Sequence, residues 1–416
     1  MTDLQKKFAS AVAAGTLLLN LVTPAFAGYT FEVSGNGSDS ESEVKFEQKN
    51  EVKVDQQNWA EVLNDVKVKA NTGDNEANDN TGGKVEIETG DSETNVSVSN
   101  VLNSNVAKVD ACCVKNVEAK ISGNGSDSEN EIELELENEV KLNQYNNAVV
   151  LNYVETKSET GDNEAEDNTN GDVSIKTGNA KTTVAVSTAA NSNSAWISGG
   201  SGGGGSLSAI ISGNGSDSEN EIELELENEV ELDQQNWAAI LNDVEVESET
   251  GDNEAEDNTG GEVEIETGDA EADVTVDNMV NFNWADIDAC GCIEDILAKI
   301  SGNGTDSENE IEAELESELE VDQYNDFDCK GEFKDACAEV DVELETGDNE
   351  AEDNTLGGDD PAIDTGDADA GVHVSNTGNS NVFGAAPELD WEMPWGFDFN
   401  FNFSFDLEDL LAALLG

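Results

Sequence analysis

Between Ser212 and Thr250 the chain sorts its residues by parity. All 20 even positions are uncharged, and 13 of the 19 odd positions are Asp or Glu. A period of two is what a β-strand imposes, because successive side chains leave opposite faces. A helix would spread those carboxylates around its whole circumference. The pattern predicts extended structure with one face turned inward and one outward. Ordinary strands run about 3–10 residues. A run this long is therefore expected to bend at several corners that its residues do not mark.

The segment recurs four times. Ser-Gly-Asn-Gly starts at Ser34, Ser122, Ser212 and Ser301, in steps of 88, 90 and 89 residues. Thr-Gly-Asp-Asn-Glu-Ala starts at Thr72, Thr160, Thr250 and Thr346, and a second Thr-Gly at Thr89, Thr177, Thr267 and Thr365. An Asn-x-Asn follows at Asn103, Asn191, Asn281 and Asn379. A fixed period of this length marks tandem modules or a stacked coil. Inward residues are even-numbered up to Thr250, odd after Gly251 and even again after Gly268. A one-residue shift would exchange the two faces unless a turn or bulge compensates. Each Thr-Gly is therefore read as a corner or bulge that keeps one face inward.

The layout that follows is a leader over 1–27, repeat 1 over 28–121 and repeat 2 over 122–198. A Gly/Ser linker spans 199–206, repeat 3 spans 207–300 and repeat 4 spans 301–386. An aromatic and amphipathic tail closes the chain over 387–416. Repeat 4 is atypical and suited to capping: seven extra residues lie between Asn325 and Thr346, and Pro361 interrupts a strand pattern. Two all-β architectures fit. One is a tandem-repeat β-solenoid; the other is four β-sandwich-like modules in a row. Inward Asn220, Asn228, Asn236 and Asn242 favour the solenoid. Unpaired buried amides are costly, whereas stacked coils let each amide bond to its copies above and below.

Gly73-Asp-Asn75-Glu-Ala77-Asn-Asp-Asn80, its copy at Gly251 to Asn258, and Gln56-Gln57-Asn58-Trp59-Ala60 resemble the Gly-x-x-Asn-x-Ala spacing of curlin repeats. Curlins are secreted β-solenoid subunits of bacterial extracellular fibres. The likeness covers short pieces of each repeat, the flanking Ser and Gln spacing is not reproduced, and this chain is far more acidic. It implies a stacked β-coil able to assemble.

Export is expected from the first residues. Lys6 and Lys7 precede a largely apolar run from Phe8 to Val22, and Ala25-Phe26-Ala27 has the small-residue cleavage pattern. No later stretch is apolar and long enough to span a membrane. The formal charge is −76, from 94 acids against 18 bases. That excludes electrostatic binding to nucleic acid or to an anionic membrane. Six cysteines in an exported chain are disulfide candidates: Cys112, Cys113, Cys290, Cys292, Cys329 and Cys337. Their spacing does not suit zinc.

Three features are candidate sites. Asp74 and Asp79 lie in a Gly-bounded acidic loop that recurs as Asp162 and Asp167, Asp252 and Asp257, and Asp348 and Asp353. Clustered carboxylate and amide oxygens suit a hard cation, and calcium is the cofactor to consider. The bland reading is a solvated acidic turn. Trp59, Tyr145, Trp237 and Tyr324 fall on the outward parity and would contact a second layer or a neighbour. Phe397, Phe399, Phe401 and Phe403 form one aromatic face in the tail, suited to capping, assembly or attachment. Enzymatic chemistry is not expected. The single His373 has no triad around it, and the carboxylates sit in equivalent repeated positions, unlike a catalytic pair. The reading is a secreted, non-enzymatic structural repeat protein of the cell surface or an extracellular fibre or matrix. Its partner is itself or a cell-surface component. The alternative is a calcium-binding extracellular adhesion module.

Overall fold

The computed structural model describes residues 16–22, 28–110, 116–198, 205–287, 293–329, 337–355 and 361–384. An N-terminal strand, β1, spans Thr16–Val22. The chain then makes four circuits. The first comprises β2 (Tyr29–Ser34), β3 (Glu41–Asn71), β4 (Val85–Glu88) and β5 (Ser92–Asp110). The second repeats it as β6 (Asn116–Ser122), β7 (Glu129–Glu159), β8 (Val173–Lys176) and β9 (Ala180–Ser198). The third is β10 (Gly205–Ser212), β11 (Glu219–Glu249), β12 (Val263–Glu266) and β13 (Ala270–Ile287). The fourth has its long strand in two parts: β14 (Ile293–Ser301), β15 (Glu308–Cys329), β16 (Ala338–Glu345), β17 (Ala362–Asp364) and β18 (Ala368–Phe383).

Each circuit gives one strand to each of four sheets. Their orders are β3-β7-β11-β15 with β16 beside β11, β1-β5-β9-β13-β18, β2-β6-β10-β14, and β4-β8-β12-β17. Every described pairing is parallel and joins one circuit to the next, with Glu41, Glu129, Glu219 and Glu308 in one column. Separate antiparallel modules would pair their own strands instead. The strand ahead of each Ser-Gly-Asn-Gly belongs to the circuit that follows. Gly205 and Ser206, expected in a linker, therefore begin β10, while 199–204 lie outside the described residues.

The expected bends inside the parity run are absent. β11 is one strand of 31 residues, roughly 100 Å long. No Gly or Pro interrupts it, and neighbours on both sides pair along it. Its even residues point inward, and Ile222, Leu224, Leu232 and Ile240 are fully buried. The facing layer is the return path. Val109 of β5 packs with Val52 and Val54 early in β3, whereas Val96 and Val98 pack near Val66 at its end. The strand that precedes each long strand then covers its start, as Ile121 and Ile211 meet Ile132 and Ile222. A fully buried Ile or Leu contributes about 1.5–3 kcal/mol, so these columns carry the apolar part of the core.

Between the apolar patches the interior is amide. Asn58 donates to Asn146 at 3.0 Å, Asn146 to Asn236 at 2.9 Å, and Asn236 to Asn325 at 2.9 Å. Asn105, Asn193, Asn283 and Asn381 form the facing column, and cross-layer bonds such as Asn146 to Asn193 at 2.8 Å zip the two together. Gln144, Gln234 and Gln323 each donate back one circuit at 2.7 Å. Self-stacking satisfies amides that a single layer would strand.

The Asn-x-Asn motif has a role that its spacing did not disclose. Asn103, Asn191, Asn281 and Asn379 have φ of 55° to 62°. Asn281 falls out of the strand pairing, which passes from Val280 to Phe282. Its amide donates to the Asp326 carbonyl on the long strand. The first Asn is thus a third parity shift, which brings Asn283 inward.

Candidate functional site

The Thr-Gly pairs close one corner of every circuit. The Thr160 hydroxyl donates to the Gly178 carbonyl and Thr250 to Gly268, each at 2.9 Å, joining the first pair to the second. Circuits approach so closely there that a Cβ on Gly161 would lie 1.9 Å from the Gly251 carbonyl oxygen. Between the pairs, Asn75, Asn163 and Asn253 each donate to the side-chain oxygen of the next copy, ending on Asn349.

This corner gathers carboxylates. Oxygens of Asp74, Glu159 and Asp162 lie within 4.8 Å of one another. The same holds for Asp162, Glu249 and Asp252, and for Asp252, Glu345 and Asp348. Four of the eight expected loop residues are brought together: Asp74, Asp162, Asp252 and Asp348. The other four, Asp79, Asp167, Asp257 and Asp353, enter none of these groups. All eight have φ between 50° and 61°, a left-handed turn conformation that Asp tolerates. Glu159, Glu249 and Glu345 complete the column and were missed. They end long strands, where parity reads as outward, yet Glu159 and Glu249 are buried by the corner.

Crowding shifts their protonation. Burial raises Asp162 to about 6, helped by a hydrogen bond with Glu159 and by the charges of Asp252 and Asp74. Burial raises Glu249 to about 7 although Lys157 opposes it. Glu345 is raised by burial and by Asp252 and Asp348. Burial also pushes Glu159 upward, but hydrogen bonds with Asp162 and Lys69 outweigh it and hold this carboxyl low. Lys69 reaches Glu159, and Lys157 reaches Glu249, each at 3.0 Å. No described lysine pairs with Glu345, and none pairs with a further group in the same loops, Glu164, Glu166 and Glu254; at the corner itself Asp252, Glu345 and Asp348 are the group best suited to a hard cation.

The outer face of the long-strand sheet carries acid rows interrupted by aromatics. Trp59 and Trp237 share one column with Asn147 between them, while Tyr145 and Tyr324 share another with Gln235 between them. Trp59 and Tyr324 are exposed, and Tyr145 is half-buried and donates to Asp233 at 2.7 Å. Among the described residues no second layer covers these side chains. Phe397, Phe399, Phe401 and Phe403 lie outside the described residues, as do Cys112, Cys113, Cys290 and Cys292. Cys329 and Cys337 form a disulfide.

Among the described residues the circuit-4 end of the stack is open. Ile311, Leu315 and Leu319 follow the inward columns of Ile222, Leu226 and Val230, yet they are 48%, 60% and 47% exposed. Val372 and Val374 on the facing layer are exposed for the same reason. Among the described residues no further circuit covers them.

No protein-family model, curated protein or solved structure matches this chain. The resemblance to curlins therefore rests on motif spacing alone. Among the described residues no helix is long and apolar enough to cross a membrane.

Proposed function

We propose that this chain is an exported, non-enzymatic structural protein of an extracellular fibre or matrix, built as a β-solenoid whose ends join copy to copy. One observation carries the reading. The circuit-4 end exposes apolar and amide columns that are buried in circuits 2 and 3. An open parallel edge is a template for another strand, and identical register from circuit to circuit means that the same contact can continue indefinitely. The curlin-like spacing supports the same reading. β1 pairs with Ser104–Asp110 at the other end, so cleavage after Ala27 would uncover that edge.

Negative-stain microscopy of the exported protein tests the proposal. Unbranched filaments roughly 100 Å across, the length of one long strand, are expected. Monomers at every concentration would overturn it. The second reading, a calcium-dependent adhesion module, is favoured by the Asp252, Glu345 and Asp348 group. It requires the circular dichroism spectrum or melting curve to change on chelation, and identical curves with and without calcium would sink it.

A further inference from the structure

The two ends of the stack differ in charge. In the long-strand sheet β3 carries seven acids and five lysines, and β7 carries eight acids and two lysines. β11 carries twelve acids and no lysine, and β15 with β16 carries fourteen acids and no lysine. The lysines of β3 head columns that end in acids. Lys45 leads through Glu133 and Glu223 to Glu312, Lys49 through Glu137 and Glu227 to Glu316, and Lys67 through Glu155 and Glu245 to Asp341. Within the molecule Lys45, Lys49 and Lys67 pair with Glu133, Glu137 and Glu155 of the next circuit. Their other side faces the circuit-1 end, where β3 is the edge strand.

We propose that circuit 4 of one copy docks on circuit 1 of a second, with Glu312, Glu316 and Asp341 set beside that copy's Lys45, Lys49 and Lys67. The proposal rests on the fibre reading and adds a direction to it. Three end pairings are conceivable. Either same-end pairing sets the two edge strands antiparallel and breaks the parallel columns; circuit 1 on circuit 1 also leaves circuit 4 without a cationic partner, and circuit 4 on circuit 4 brings together two strands without a single cation. Like charges directly opposite across strands are destabilising. Circuit 4 on circuit 1 alone places Lys45, Lys49 and Lys67 between two carboxylate rows, roughly 4.8 Å to either side. It also continues the interior, because Ile311 and Leu319 share their columns with Val44 and Val52. β1 occupies part of the position that β18 of the second copy would take. Thr16 and Ser380 both align with the column of Ser104 and Ser192. Docking therefore requires β1 to leave.

The test reverses charge at one end. The variant E312K/E316K/D341K removes carboxylates stacked on Glu223, Glu227 and Glu245, so its own fold loses repulsion while its docking face becomes cationic. Light scattering and microscopy should show that it needs about tenfold or more protein to form filaments. K45E/K49E/K67E should be impaired in the same way from the opposite end. Combining all six changes restores opposite charges across the junction and should restore assembly. Circular dichroism confirms folding in each case. Wild-type assembly by both triple variants would overturn the proposed direction and leave the fibre reading standing. Failure of the wild-type protein to form filaments would overturn the fibre reading itself.

Discussion

At the scale of the residue, the interior is specified by amides as much as by aliphatics. Asn236 donates to Asn283 and Asn325 and accepts from Asn146 and Asn193. Asn236→Ala leaves several buried polar groups unmatched, each costing about 1–3 kcal/mol. Urea denaturation should show a loss in that range or above it, whereas Gln235→Ala, on the exposed face next door, should change little. The inward amides were legible from parity alone. The turn made by Asn281 was not. An Asn in a left-handed bulge and an Asn in a strand look alike in sequence, and nothing but the facing strand's carbonyl tells them apart.

At the scale of the element, corners and strands obey different rules. The Thr-Gly corners could be anticipated, because a parity shift demands a local exception. Their glycines answer to a second constraint, the approach of the adjacent circuit, which a single repeat cannot display. Gly161→Ala places a Cβ against the Gly251 backbone, and a thermal melt should register a loss of about 3 kcal/mol or more. The carboxylates at the same corner make stability depend on pH. Asp162 and Glu249 have folded values of about 6 and 7, above their ordinary 3.8 and 4.5. The folded state thus holds these protons more tightly, and the contribution of these two groups to stability is full below about pH 4 and falls as pH rises toward about 7. Glu159, held low, works in the opposite sense. Melting temperature should decline across this window in the wild type and decline less in Glu249→Gln. The buried Glu residues escaped sequence reading because their parity is outward; the corner that covers them is built from the neighbouring repeat.

At the scale of the whole molecule, charge sets the conditions of stability. Acids outnumber bases 94 to 18, and glutamates stack on glutamates from Glu129 through Glu219 to Glu308. Screening weakens such repulsion, with a Debye length of about 10 Å at 0.1 M salt. Melting temperature should therefore rise from low to high ionic strength, opposite to what a fold held by ion pairs would show. The acid excess was legible at once. Its gradient along the stack was not, because it appears only when the repeats are laid in register.

The steps between repeats are unequal, yet no column of the long-strand sheet slips. β15 leaves the stack at Cys329, opposite Ile240, and β16 rejoins it at Ala338, opposite Asn242. Eight residue steps separate the two cysteines, and the disulfide brings their Cα atoms to 4.4 Å. One position of the neighbouring strand thus answers to a tied-off detour. Chain length is accounted for locally, at junctions, and the long-strand columns never record it. Such a frame can gain or lose peptide at its joints while every interior neighbour keeps its partner, so loops can diversify under one constant interior.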